Sequence, residues 1–255
     1  MFFLPQKIRN SLLRVGITRT VLKIAGFPYF FIKRKWERAK IVALNSPEEK
    51  FTWIYRNSYW QSNESASGTG STLKYTENLR RELPVLFEKY SVRRIFDAPC
   101  GDFNWMGQLL PSIKVQYIGG DIVKPLIESL QARYQTENIS FIHINLISER
   151  FPQSDLMICR DCLFHLSYAD TRAVLENFIA SNIPYMLTTS HKNDGTVVNH
   201  DIQTGAFRIM DLFAAPYNFP LDPLIRIDDW VAPDHQREMC LWSRAQVARA
   251  LSSFG

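Results

Sequence analysis

The segment Asp97-Ala98-Pro99-Cys100-Gly101-Asp102-Phe103-Asn104 puts two carboxylates and a glycine where an apolar run, Arg94 to Ala98, gives way to a helix-like stretch, Trp105 to Leu110. In an open sheet with helices on both faces, ligands sit beyond the carboxyl ends of the central strands, so this loop is where a small molecule is expected. It lacks Gly-x-Gly-x-x-Gly, and its carboxylates would repel a pyrophosphate held at a helix start. Positive groups on a ligand without phosphate are attracted instead. Asp102 has a second reading, as a cap of the next helix, which is compatible with ligand binding.

Asp121 follows Asp97 by 24 residues and closes the run Tyr117 to Ile122. An acid at that point accepts hydrogen bonds from both hydroxyls of a ribose. The two acids together favour S-adenosylmethionine, whose ammonium and sulfonium are cationic, over a nicotinamide cofactor. Pro99, Cys100, Gly101, Asn104, Trp105 and Ile122 flank these acids and complete the candidate cofactor wall. Asn145, after the run Ser140 to Ile144, is placed to read the adenine edge with Leu146 packing beside it; a plain loop turn is the alternative.

A third group follows the run Leu156 to Arg160: Arg160, Asp161 and His165, within Cys159-Arg160-Asp161-Cys162-Leu163-Phe164-His165-Leu166. Methyl transfer to oxygen needs an acceptor at near-attack distance and a base that takes its proton. His165 titrates in the useful range, and Asp161 can orient it or the acceptor. A structural histidine is the competing reading. Cys159 and Cys162 have metal-ligand spacing, but both fall in a run that reads as a strand, where residues three apart face opposite ways. No second ligand pair accompanies them, and no metal is expected.

The elements that position these groups alternate. Runs at 94–98, 117–122, 140–144, 156–160 and 185–189 read as strands, separated by helices at 105–110, 125–134 and 168–180. That is the pattern of a parallel sheet covered on both faces. Leu224 to Ile227 and Glu238 to Trp242 then follow each other without a helix between, which predicts an antiparallel hairpin. The result is an α/β, Rossmann-like, seven-stranded sheet, mostly parallel, with extra N-terminal helices.

At 255 residues, 46% hydrophobic and 22% charged, the chain suits one domain with appendages. The net charge of +5 is uneven: residues 1–40 carry ten Lys or Arg against Glu37 alone, an arm of +9 that leaves −4 to the rest. With apolar residues interleaved, this arm (1–50) suits peripheral contact with an anionic membrane, nucleic acid, or packing on its own domain. Val21 to Ile32 is too short for a span, which needs about 20 residues. Four cysteines make no disulfide framework and no secretory signal is read, so a cytoplasmic setting is expected.

Asp97 to Met106, Ile118 to Asp121 and Cys159 to Leu166 resemble motifs of class I S-adenosylmethionine-dependent methyltransferases, over roughly residues 52–248. They are most similar to a bacterial group with the signature Asp-Ala-Pro-Cys-Gly-Asp-Phe-Asn-Trp-Met. The loop departs from the commoner Glu/Asp-x-Gly-x-Gly-x-Gly form, and Pro99 stiffens the backbone there. The resemblance implies that 51–92 caps a catalytic domain spanning 51–255. Within that cap Ser67, Gly68, Gly70 and Ser71 match an element that covers the cofactor's carboxylate, with a flexible linker as the alternative. It also implies an acceptor-binding cover at 190–224, where His191, Asn199, Asp201 and Asn218 are the substrate-side candidates.

The expected activity is methyl transfer to an oxygen of a small-molecule or carbohydrate-like acceptor. A nucleic-acid acceptor is the alternative, weakened because no Asn/Asp-Pro-Pro-Tyr/Phe sequence follows the fourth strand. A non-catalytic binding module on the same fold is the third reading.

Overall fold

The computed structural model describes residues 19–254 apart from residue 61, with side chains described from residue 30 onward. Residues 1–18 of the expected basic arm lie outside that set. The chain divides into two compact units, 1–45 and 46–255. In the first, helix α1 spans Arg19–Ala43, and Glu37 pairs with Lys33 and Arg34, each at 3.5 Å. No helix of the described residues is long and apolar enough to cross a membrane.

The second unit opens with α2 (Pro47–Arg56), set by a capping box in which Ser46 accepts from the Glu49 N–H and Glu49 accepts from the Ser46 N–H. After α3 (Glu77–Lys89) come β1 (Arg94–Asp97), the short α4 (Met106–Leu109), β2 (Gln116–Asp121), α5 (Lys124–Tyr134), β3 (Ile139–His143) and β4 (Leu156–Cys159). Then follow α6 (Tyr168–Ala180), β5 (Tyr185–His191), β6 (Ile225–Asp228), β7 (Arg237–Ser243) and α7 (Arg244–Ser252).

The seven strands form one sheet in the order β3-β2-β1-β4-β5-β7-β6. β1 to β5 pair parallel, and β7 runs antiparallel between β5 and β6. The strands and the terminal hairpin thus match expectation within two residues at each end. Alternation along the pleat sends successive side chains into two cores. Ile95 joins Leu83, Leu86 and Leu130 on the face covered by α3, α4 and α5, while Phe96 joins Val174, Phe178 and Val247 on the face covered by α6 and α7.

One expectation is corrected. β4 ends at Cys159, so Cys162 lies in the following loop and strand alternation does not separate the thiols. The segment 192–224 buries Met210, Leu212, Tyr217 and Phe219 in the α6/α7 core. Among the described residues no group of three or more metal-ligating side chains is found.

Candidate active site

Two adjoining cavities open at the carboxyl ends of β1, β2 and β4, and they share Trp60, Ser67, Pro99, Gly101, Asp121, Asp161 and His165 as walls. The first is mostly apolar: Phe51, Tyr55, Ile122, Leu146 and Ile147 surround the carboxylate of Asp121 and the loop of Asn145. The second carries the charge, with Asp97, Arg160, Asp161 and Arg237 facing Gly68, Gly70, Trp105, Phe164 and Phe207. A wider and more open depression runs past the amino ends of β1, β2 and β3, beside Arg93, Arg94, Lys114 and Arg133. It holds none of the residues of the β4 loop.

At the tips of β1 and β2 stand two buried carboxylates with no ion-pair partner among the described residues. Asp97 accepts a hydrogen bond from the Tyr117 hydroxyl at 2.7 Å. Burial pushes its pKa up to about 7, against the opposing pull of that hydrogen bond and of Arg160. Asp121 accepts from the backbone N–H groups of Val123 at 3.0 Å and Gly101 at 3.1 Å. Burial still lifts it to about 6.

The tip of β4 is built differently. Arg160 donates to both oxygens of buried Asp229, at 2.8 and 3.0 Å, and to the Gly70 carbonyl at 2.8 Å. Asp161 sits at 3.3 Å from Arg160 and 2.9 Å from Arg237. Burial acts to raise the Asp161 pKa, but these two guanidinium groups outweigh it and hold the carboxyl below its usual value. Asp161 adopts the left-handed backbone region at φ 53°, and its N–H is fixed by the Thr189 hydroxyl at 2.9 Å. Strain of this kind at a cleft-lining position is characteristic of functional loops.

His165 lies where the cavities meet. Its Nδ1 is 2.7 Å from the Ala206 carbonyl; a carbonyl only accepts, so in the neutral ring Nδ1 carries the hydrogen and Nε2 keeps a lone pair. Burial lowers its pKa below the usual histidine value. The ring packs among Trp60, Phe164 and Phe207, with centroids 6.0, 4.6 and 5.8 Å away.

The strap formed by residues 62–72 crosses the mouth of this site. Asp102 clasps it, accepting from the Ser65 hydroxyl at 2.9 Å and the Ala66 N–H at 2.6 Å. Asn104 donates to Glu64 at 2.9 Å and to the Ser71 carbonyl at 3.0 Å. The close fit explains two glycines. A Cβ at Gly101, where φ is +54°, would collide with the Ser67 side chain, and one at Gly70 would stand 2.8 Å from the Arg237 guanidinium.

Most sequence-predicted residues come together here. Asp97, Pro99, Cys100, Gly101, Trp105, Asp121, Ile122, Asn145, Leu146, Ser67, Gly68, Gly70, Ser71, Arg160, Asp161 and His165 all line the cavities. Asp102 and Asn104 do not; their polar atoms are spent on the strap. Of the acceptor-side candidates, His191 is buried behind the cleft against Phe164 and Phe207, its Nδ1 accepting from the Met210 N–H. Asn199 is bonded to the backbone of residues 211 and 215, Asp201 to the Tyr168 N–H, and Asn218 to the carbonyls of Pro216 and Ser253. None of these four lines either cavity, because loop backbone claims their side chains.

Trp60, Phe207, Asp229 and Arg237 were missed. Arg237 offered a signal, a charged residue opening a run that otherwise reads as a buried strand.

The sequence matches no protein-family model and no curated protein. Solved structures are similar in fold. Magnesium protoporphyrin IX methyltransferase from Synechocystis PCC 6803, with bound S-adenosylmethionine, is 13% identical, with a TM-score of 0.53 over 79% of this chain and 99% of that one. A S-adenosylmethionine-dependent methyltransferase from Leishmania major gives 14%, 0.57, 78% and 87% in the same terms. The 1,6-didemethyltoxoflavin-N1-methyltransferase of Burkholderia thailandensis, with bound 1,6-didemethyltoxoflavin and S-adenosylhomocysteine, gives 14%, 0.52, 78% and 91%. The chain therefore has the Rossmann-like fold of these enzymes.

Proposed function

We propose that this chain is a methyltransferase that uses S-adenosylmethionine to methylate an oxygen of a small, polar, carbohydrate-like acceptor. The observation that carries the reading is the junction of the cavities, where two carboxylates without cationic hydrogen-bond partners adjoin a neutral histidine with an open Nε2. The donor set fits such a cofactor. Asp121 suits the ribose hydroxyls, the walls of Ile122, Leu146 and Ile147 suit the adenine, and Asp97 suits a cationic amino acid end. When bound, the cofactor supplies a methyl carbon activated by its sulfonium.

The chain's own residues account for the rest of the chemistry. His165 Nε2 accepts the hydroxyl proton of the acceptor as the new O–C bond forms. Holding the imidazole below its usual pKa keeps it unprotonated, and so free to accept a proton, at neutral pH. Asp161 is fully engaged by Arg160 and Arg237 and serves to fix the loop; a carboxyl so held is a poor base. Phe207, 55% exposed, and Trp60 offer flat apolar surfaces beside the base. Arg237 is 92% buried, yet its guanidinium makes one hydrogen bond, to Asp161, among the described residues, leaving Nε–H without a hydrogen-bond partner as a donor for an acceptor oxygen.

A nucleic-acid acceptor is the second reading, favoured by Arg93, Arg94, Lys114 and Arg133 along the outer depression. Those cations lie at the other end of the strands from His165, which argues against it. Steep salt-dependent retention on nucleic acid would support it.

Calorimetry with S-adenosylmethionine on the wild type and Asp121→Ala tests the main proposal. We expect the substitution to weaken binding by about a hundredfold, or roughly 2.7 kcal/mol. Equal binding by both proteins, or binding by neither, overturns it. A His165→Gln variant that still binds cofactor should then lose about a hundredfold in transfer rate to a sugar acceptor.

A further inference from the structure

We infer that α1 is a surface anchor that lays the chain on a bilayer containing anionic lipid. The inference stands apart from the methyl-transfer reading, because it rests on the first compact unit alone. At about 100° per residue, Phe31, Ile32, Trp36 and Val42 fall within an arc of about 140°, and Ala39 and Ala43 lie in the same arc. All six are exposed, with Phe31 at 57%, Ile32 at 69% and Trp36 at 61%. The opposite side carries Glu37 and Ile41, both buried at 3%.

This arrangement reverses the usual surface helix, which turns its apolar stripe inward. Cations border the outer stripe: Arg38 on one side, Lys33 and Lys40 on the other, with Lys35 within it, all exposed. The one acid, Glu37, is taken up by Lys33 and Arg34. An apolar arc rimmed by long basic side chains is the chemistry of a helix lying in the headgroup layer, its aromatic and aliphatic groups in the acyl boundary and its ammonium groups reaching lipid phosphates. The charge balance suits that partner, since the first 40 residues carry +9 and the remainder −4. The net positive charge that an anionic surface attracts is therefore carried by the arm.

Two other occupants fit less well. A second copy would set Lys35, Arg38 and Lys40 against like charges at short range. A nucleic acid would pair with the cations and leave Phe31, Ile32, Trp36 and Val42 in water.

The test is co-sedimentation of the full chain with vesicles of phosphatidylcholine alone and of phosphatidylcholine mixed with phosphatidylglycerol. We expect pelleting with the mixed vesicles, little with the neutral ones, and about a tenfold loss of vesicle affinity in the double variant Ile32→Glu, Val42→Glu. Both positions are exposed, so circular dichroism and cofactor calorimetry should match the wild type and exclude misfolding. The inference is overturned if the chain stays in solution with both vesicle types, or if the double variant pellets as the wild type does. It is equally overturned if sedimentation velocity shows a dimer that the double variant dissolves.

Discussion

Asp97 and Asp121 share a cleft with Asp161, and Asp229 is buried behind it, yet the two pairs are stabilised in opposite ways. The first pair relies on a tyrosine hydroxyl and backbone N–H groups, and burial lifts both toward neutrality. The second pair is locked to Arg160 and Arg237. A carboxylate already neutralised by its own chain has little left to offer a ligand and works as scaffold. One left short of positive charge creates a field that an incoming cation relieves. The difference divides the cleft into a half that waits for charge and a half that has supplied its own.

The largest test of this division is a pair of substitutions. Asp229→Ala leaves the Arg160 guanidinium buried without its bidentate partner and should cost about 3–5 kcal/mol in denaturant unfolding. Asp97→Asn, which keeps an acceptor for Tyr117, should be neutral or stabilising at pH 8. Equal losses from the two would erase the distinction.

A smaller effect sharpens it through pH. Both folded pKa values of the first pair lie above the ordinary 3.8, at about 7 and about 6. Their protonated forms therefore favour the fold fully below the unfolded value, and that contribution is lost as pH rises through 6 to 7. His191, pushed down to about 4 by burial, acts the other way: its contribution is present above 6.5 and lost as pH falls toward 4. A cationic ligand favours the ionised acids, so S-adenosylmethionine should bind roughly tenfold tighter at pH 8 than at pH 5. Calorimetry should show a weaker trend for S-adenosylhomocysteine, which lacks the sulfonium, and a flatter one in Asp97→Asn.

The smallest expected change is Asn104→Ala, which removes two strap hydrogen bonds at a half-buried site. We expect a loss of about 1 kcal/mol or less, read as a shift in thermal unfolding. A large loss would make the strap part of the charged framework.

The sheet was legible because its strands are short apolar runs with turn chemistry between them, and the hairpin because nothing helical separates its two runs. α6 was bounded correctly by Ser167, which accepts from the Asp170 N–H. The boundaries of α3 and α7 were not drawn, although Ser243 and Gln246 form a capping box that a search for the Ser-x-x-Gln pattern would have found. Asp97 and Asp121 could be read as facing one cleft because parallel strands bring their carboxyl ends together. Asp102 and Asn104 could not be assigned from spacing: a polar group beside a ligand loop can face the ligand or the chain, and only the packed strap decides. Arg160 to Asp229 spans 69 residues, and no local pattern encodes such a pairing. Asn199, Asp201 and Asn218 share the composition of a binding loop because packed loops need the same amides and carboxylates to satisfy their backbone.

The imidazole of His165 is pinned at one nitrogen by Ala206 and hemmed by three rings, so it does not readily swing round to discharge on its far side. On the proposed mechanism, a hydrogen ion picked up there would have to leave by the opening through which it came. The methylated product would fill that opening, and so its departure would have to precede resetting of the base. Each cycle would then release product first and a hydrogen ion second, an order visible as a solvent isotope effect confined to the step after product release.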